Sequence, residues 1–172
     1  MSMENLKKNS PLLLLVLLAG FAANVGSQKD DSKDPTYIEA DGATYDKNTG
    51  MVVYTGRVEL TQGRMLLKSD KLVVYTTERK PNKYIATGDP VTFRQTPEPG
   101  EDEMHGRSRI AEYYKKQDLL VMIKKAVIWQ GEDTYASERI EWDRKAGIIR
   151  AGDLSSRGKR VHITLFPDEK TE

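Results

Sequence analysis

The chain has no cysteine and only two histidines, His105 and His162. Without thiols there is no disulfide framework, no thiolate metal site, no Cys nucleophile and no cysteine for lipid attachment. Two histidines leave little for a His-rich metal site or a Ser-His-Asp triad. Charge of one sign is missing too: 27 Lys and Arg stand against 26 Asp and Glu in 172 residues, a net +1. Such a balance gives no basic field for nucleic acid. There is no glycine-rich phosphate loop and no His-Glu-x-x-His segment. Acid pairs such as Asp30-Asp31 and Glu138 with Glu141 stand in no glycosidase-like context. The length fits one domain, or at most two small ones. No catalytic residue, metal site or cofactor is expected.

Long apolar runs are also scarce, with one exception near the start. Lys7 and Lys8 precede Leu12 to Ala23, and small residues follow at Gly26 and Ser27. A basic start, an apolar run of twelve and a small-residue exit read as a secretory signal peptide over residues 1–27. Crossing a bilayer takes about 20 apolar residues, so an uncleaved anchor is the alternative. Cleavage after Ser27 removes Glu4, Lys7 and Lys8 and leaves a formal charge of zero. The expected destination is the bacterial periplasm, where a chain without cysteine neither gains nor loses from oxidising conditions. Residues 28–34 are a polar segment, 35–167 the folded domain and 168–172 a tail.

Beyond Pro35 the dominant period is two. Val52, Tyr54, Val58 and Leu60 share one parity, with Thr55, Arg57, Glu59 and Thr61 on the other. Met65, Leu67, Leu72 and Val74 continue the pattern, as do Val91 with Phe93 and Val161, Ile163 with Leu165. Alternation of this kind puts one face in an apolar interior and the other in water. Turn signals recur at Asp46 to Gly50, Gln62-Gly63, Lys80 to Asn82, Gly88 to Pro90, Lys115 to Asp118, Gln130-Gly131, Arg144 to Gly147 and Arg157-Gly158. Short strands with regular turns predict an all-β sandwich, jelly roll or incomplete barrel. Thr96 to Met104, with two prolines, a glycine and several acids, is expected to be an exposed loop.

An internal repeat supports this. At an offset of 68, Ala43, Tyr45, Lys47, Val53, Gln62, Gly63 and Ser69 meet identical residues at Ala111, Tyr113, Lys115, Val121, Gln130, Gly131 and Ser137. The apolar positions correspond as well: Val52, Tyr54, Val58, Leu60, Leu67, Leu72 and Val74 meet Leu120, Met122, Ala126, Ile128, Tyr135, Ile140 and Trp142. The inward face repeats while the outward face drifts. A unit that cannot bury its face alone gains by stacking on a copy, so a layered, elongated β structure is expected.

An alternating apolar stripe first of all fills a core. Here the inward set mixes Ala126 and Gly56 with Tyr54, Phe93, Tyr113 and Trp142, which can leave a slot for a greasy ligand. The motifs also carry a resemblance. Pro35 to Asp41, Tyr54 to Val58, Thr61-Gln62-Gly63, Ser69 to Val74, Gly88 to Phe93, Ala126, Gln130 and Gly158 to Val161 resemble, in order and spacing, the LptA family of periplasmic lipopolysaccharide transport proteins, the OstA-like group. The resemblance spans Pro35 to Pro167 and departs at Arg57 and in the acidic stretch Glu98 to Glu103.

The resemblance implies an open-ended, twisted, antiparallel β jelly roll that shields the acyl chains of lipid A between its sheets. It implies a non-enzymatic carrier with an LptC-like inner-membrane partner and an LptD-like outer-membrane translocon, whose protomers join head to tail. Carried over by position, lipid-facing residues are Ile38, Tyr54, Val58, Leu67, Leu72, Phe93 and Tyr113; alternation adds Val74, Met122, Ile128, Trp142 and Ile163. The joining edges fall on Thr36, Tyr37 and Ile38 in the first strand and on Val161, Ile163 and Leu165 in the last. Two other readings are a membrane-anchored module of the same fold, like LptC, and an enzyme acting on envelope sugars. Ser155, Ser156, Arg157, Lys159 and Arg160 form a small basic run that can touch lipid phosphates, though such runs are ordinarily solvated turns.

Overall fold

The computed structural model describes residues 34–100, 102–152 and 160–167. The expected leader, nearly all of the polar segment, Ser155 to Lys159 and the 168–172 tail lie outside the described residues. Every regular element among the described residues is a strand: β1 (Thr36–Glu39), β2 (Gly42–Asp46), β3 (Met51–Gln62), β4 (Met65–Thr77), β5 (Lys80–Gln95), β6 (Met104–Tyr114), β7 (Leu119–Gln130), β8 (Asp133–Asp143), β9 (Ile148–Ala151) and β10 (His162–Thr164). They form one antiparallel sheet in the order β1-β3-β4-β5-β6-β7-β8-β10, with β2 also on β3 and β9 also on β8.

A flat sheet of this width leaves one apolar face in water, and the chain avoids this by folding the sheet over. Each long strand breaks register at one level: Thr55/Val58 in β3, Lys68/Lys71 in β4, Thr87/Val91 in β5, Arg107/Ile110 in β6 and Ile123/Ala126 in β7. Bulges bend strands and raise local twist. Aligned across neighbouring strands, these irregularities make a crease that divides the sheet into two layers. The first holds β1, β10 and the segments around Val58–Gln62, Val91–Gln95 and Ala126–Gln130; the second holds β2, β9 and those around Met51–Thr55, Lys80–Thr87 and Leu119–Ile123. Facing layers of this kind pack about 10 Å apart.

The core sits between the layers. Val58, Leu60, Met65, Leu67, Val91, Phe93 and Ile128 of the first layer are buried with Leu72, Val74, Tyr84, Leu120, Met122, Ile140 and Trp142 of the second. Phe93 and Trp142, which are not paired in register, stack across the gap with ring centroids 5.7 Å apart.

The sequence repeat is also a repeat of backbone. β3 and β7 occupy equivalent residues at the offset of 68, and β1 with β2 together correspond to β6. The pairing agrees: Thr36 opposite Gln62 matches Met104 opposite Gln130, and Gly42 opposite Thr55 matches Ile110 opposite Ile123. Positive φ recurs at the kinks, at Gly56 (76°) and Arg57 (43°), and at Lys124 (65°) and Lys125 (56°). Gly63 and Gly131 share a φ near 55° in the two hairpin turns.

One glycine is required by contact rather than by its dihedral angle. Gly106 lies opposite Phe93, and a Cβ there meets the Phe93 ring at 2.5 Å and the Val127 carbonyl oxygen at 2.6 Å. Gly106→Ala is expected to lower stability by about 1–3 kcal/mol through overpacking, read as a lower urea midpoint by Trp fluorescence. An unchanged midpoint contradicts this packing.

Candidate functional site

The strongest candidate is the interior itself. It runs the length of the folded sheet, from the β1/β2 edge to the β9/β10 edge, and alternation supplies its lining. Nine of the residues singled out from sequence are buried there: Val58, Leu67, Leu72, Val74, Phe93, Tyr113, Met122, Ile128 and Trp142. Ile38 and Tyr54 are half-buried and pack against the same cluster.

Ile163 is a correction. It pairs with Tyr135, whose side chain packs on the core, so its strand is placed as expected, but it is 53% exposed and stands outside the cluster. All of β10 is exposed because it covers only three residues of β8 at the end of the sheet.

Leu60, Met65, Val91, Leu120 and Ile140, on the inward parity but not singled out as lipid-facing, are buried too, as is Ala111; sequence reasoning missed Tyr84 and Ala86 in β5, which are also buried. Tyr84 and Ala86 follow the Lys80-Pro81-Asn82 turn signal with Ile85 between them, so no apolar–polar alternation marks that half of β5.

The lining is apolar, and part of it is closely packed. The void among Leu60, Met65, Leu67, Leu72, Tyr84, Ala86, Ala111, Tyr113 and Leu120 measures about 10 Å3, at the lower limit for one water. The buried polar residues among those described are Gln62, Ser69 and Ser108, none of them an acid or base. Gln62 serves the edge: its Nε2 donates to the Asp34 carbonyl at 3.1 Å and ties the start of β1 to β3. Such a face offers no proton donor or acceptor of useful pKa for chemistry. It offers apolar surface, worth about 0.8 kcal/mol per methylene removed from water. Admitting an acyl chain requires the layers to part and exchange their mutual contacts for contacts with the chain.

At the hairpin tips of the second layer a polar network borders this interior. The Tyr113 hydroxyl donates to Asp118 Oδ1 at 2.8 Å, and Arg144 Nη1 donates to the same oxygen at 3.1 Å. The Arg144 side chain is 7% exposed and lies 5.7 Å from both the Tyr113 and Trp142 ring centroids. A buried arginine kept with its carboxylate is costly to break, so the tip is held firmly closed.

Among the described residues no further strand pairs with the outer side of β1 or β10. Thr36 and Ile38 face inward on β1, while Tyr37 is 67% exposed. At the other edge Leu165 and Phe166 join Ile163 in water. His105 stacks on Trp129 at 5.1 Å on the outer face. Among the described residues no three His, Asp or Glu side chains gather as metal ligands, and no helix is long and apolar enough to cross a membrane.

Burial, followed by the adjacent Asp118 charge, pushes the Tyr113 hydroxyl well above its ordinary value near 10. Below that value both folded and unfolded chains keep the proton and stability is independent of this group. Above it the unfolded chain ionises first, so stability falls as pH rises. Unfolding free energy is expected to decline from about pH 10 upward, and Tyr113→Phe to lessen the slope; a residual slope is expected because burial raises Tyr84 too. An identical slope in Tyr113→Phe, measured by urea titrations between pH 9 and 11.5, contradicts this assignment.

Comparison with known proteins places this geometry. Residues 37–148 match the family described as LptA/(LptD N-terminal domain) LPS transport protein. The lipopolysaccharide export system protein LptH of Pseudomonas aeruginosa is 28% identical over 174 residues, covering 92% of this chain and 97% of that protein. The lipopolysaccharide export system protein LptA of Escherichia coli K12 is 28% identical over 141 residues, 81% of this chain and 75% of that one. The crystal structure of LptH, described as the LptA-homologous periplasmic component of the lipopolysaccharide transport device of Pseudomonas aeruginosa, agrees with a TM-score of 0.73 at 26% identity, covering 81% of this chain and all of the other. The fold agrees and the family match spans well over half of the sequence: the chain belongs to the LptA/LptD N-terminal domain family of lipopolysaccharide transport proteins.

Proposed function

We propose that this protein carries lipopolysaccharide across the periplasm, holding the acyl chains of lipid A between its two layers while the sugar headgroup stays in water. The observation that carries the reading is a continuous apolar interior, whose buried polar residues among those described are Gln62, Ser69 and Ser108, with the Arg144–Asp118 pair at its border, and which ends at two sheet edges unpaired among the described residues. The carrier performs no chemical step. Several long chains cannot cross water unaided at about 0.8 kcal/mol per methylene, and a trough open at both ends passes them on.

Export by residues 1–27 brings the chain to that compartment, and head-to-tail pairing of β1 on β10 of the next copy extends the trough. An LptC-like protein at the inner membrane and an LptD-like translocon at the outer membrane meet the two ends. Opposite edges give an interface that does not close on itself, as a bridge requires. An anchored, LptC-like role differs in the fate of the leader, which N-terminal sequencing of the exported protein decides.

Photo-crosslinkable residues at Phe93 or Tyr54 are expected to capture lipopolysaccharide, and those at Arg57 or Glu59 to capture none. The reverse labelling overturns the inside-out assignment. For assembly, Ile163→Asp with Leu165→Asp places charge on side chains already in water and is expected to give folded monomers. Oligomers of unchanged size in light scattering contradict the terminal-strand joint.

A further inference from the structure

The repeat allows the outer side of the crease to be compared with itself. In the first copy the crease is sealed by ion pairs. Arg57 grips Asp41 through contacts of 2.5–3.1 Å, and Lys68 Nζ meets Glu59 at 2.6 Å across β3 and β4. At the offset of 68, Arg57 becomes Lys125, Asp41 becomes Arg109 and Glu39 becomes Arg107. The paired Glu59 and Lys68 become Val127 and Ala136, again opposite one another in register. The backbone is retained, while the acids that neutralise the first copy are replaced by cations in the second. A long charged pair has become two short apolar side chains.

A recess of about 540 Å3 has opened at that place. Arg107, Arg109, Lys125, Arg160 and His162 line it, against the carboxylates of Asp89 and Glu138. Arg109 is paired with Asp89. Arg107 lies over the Trp129 ring, 5.5 Å from its centroid. Arg107, Lys125 and Arg160 have no carboxylate partner among the described residues. Lys124 and Lys125 both hold a left-handed backbone without being glycine, a conformation that persists where surrounding structure imposes it and that clusters at functional positions. Converging cations in a concavity, two of them guanidinium forks, match the oxygens of a phosphoryl group. The volume falls in the range of about 300–1,000 Å3 typical of small-molecule sites and exceeds what a lone phosphate ion fills. A net charge of +1 gives no overall basic field, so this local excess suits a compact anion better than a nucleic acid.

We propose that this recess binds a phosphoryl group carried on a saccharide outside the layers, the headgroup side of the lipid whose chains the interior takes. The inference rests on the carrier reading for the source of its ligand. Lys125 and Arg160 provide the direct charge, Arg107 the stacked guanidinium, and Val127 with Ala136 the floor.

The test uses the full chain and three soluble probes: the phosphorylated sugar backbone of lipopolysaccharide stripped of acyl chains, the same backbone dephosphorylated, and inorganic phosphate. Calorimetry at low salt is expected to show the phosphorylated saccharide binding more tightly than the other two. The double variant Lys125→Gln, Arg160→Gln, changed at exposed side chains, is expected to weaken it at least tenfold; Arg57→Gln, at the equivalent of Lys125, is expected to leave it unchanged. Equal binding of the dephosphorylated backbone, inorganic phosphate binding as tightly as the saccharide, no binding at all, or no effect of the double variant overturns the proposal. Lipid capture by a probe at Phe93 in the double-variant background separates the two ideas: capture retained with saccharide binding absent removes the recess alone, and capture absent in the otherwise unmodified protein removes the carrier.

Discussion

Everything in this molecule depends on where its strands bend. Five adjacent strands lose register at one level, and the bends convert a single sheet with an exposed apolar face into two layers that cover each other. Without the crease, Phe93 and Trp142 face water on one broad surface; with it they stack. The backbone geometry at the bend is specific enough to recur: two consecutive residues of positive φ in β3 and two more in β7, with a glycine in only one of the four places. Arg57, Lys124 and Lys125 therefore hold a conformation that side chains ordinarily avoid, which shows how strongly the surrounding sheet imposes it.

The crease also assigns separate tasks to the two sides of each strand. Inward positions have to be apolar, and the repeat conserves their character between copies. Outward positions at the same level are free to vary, and they do so in a directed way, from the sealed Asp41–Arg57 and Glu59–Lys68 pairs to the cationic recess beside Val127 and Ala136. The proposed transport of an amphiphile would use this division, with a dry side for chains and a wet side for charge. Neither task needs a titrating catalytic group.

Much of this was legible in the sequence because alternation is a local signal. β3, β4, β7 and β8 follow from the parity of Val52 to Val74 and of its copy, and the loop after Gln95 from its prolines and acids. What was not legible is set by partners distant in sequence. Tyr84 and Ala86 are lining residues because β5 pairs with β4 and β6, not because their neighbours alternate. Ile163 has the right parity, but β10 is too short and too near the edge for anything to cover it. The recess was legible only in part, for a similar reason. Arg160 falls in a basic run that can touch lipid phosphates, but Arg107 and Lys125 carry no local signal, and only the fold brings the three to one concavity.

The closed interior has a consequence for how cargo is held. A carrier that stood open when empty would show water a long greasy strip and stick to its own kind. Here the strip is its own first occupant: Phe93 lies on Trp142, and Tyr84 lies near Tyr113 at 5.8 Å between centroids. Any guest competes with that self-contact, and the apparent affinity falls in proportion to how seldom the layers stand apart. On the proposed function, the side chains that shelter a fatty tail are thus the same ones that help to expel it, so that one balance rather than separate devices sets loading and discharge.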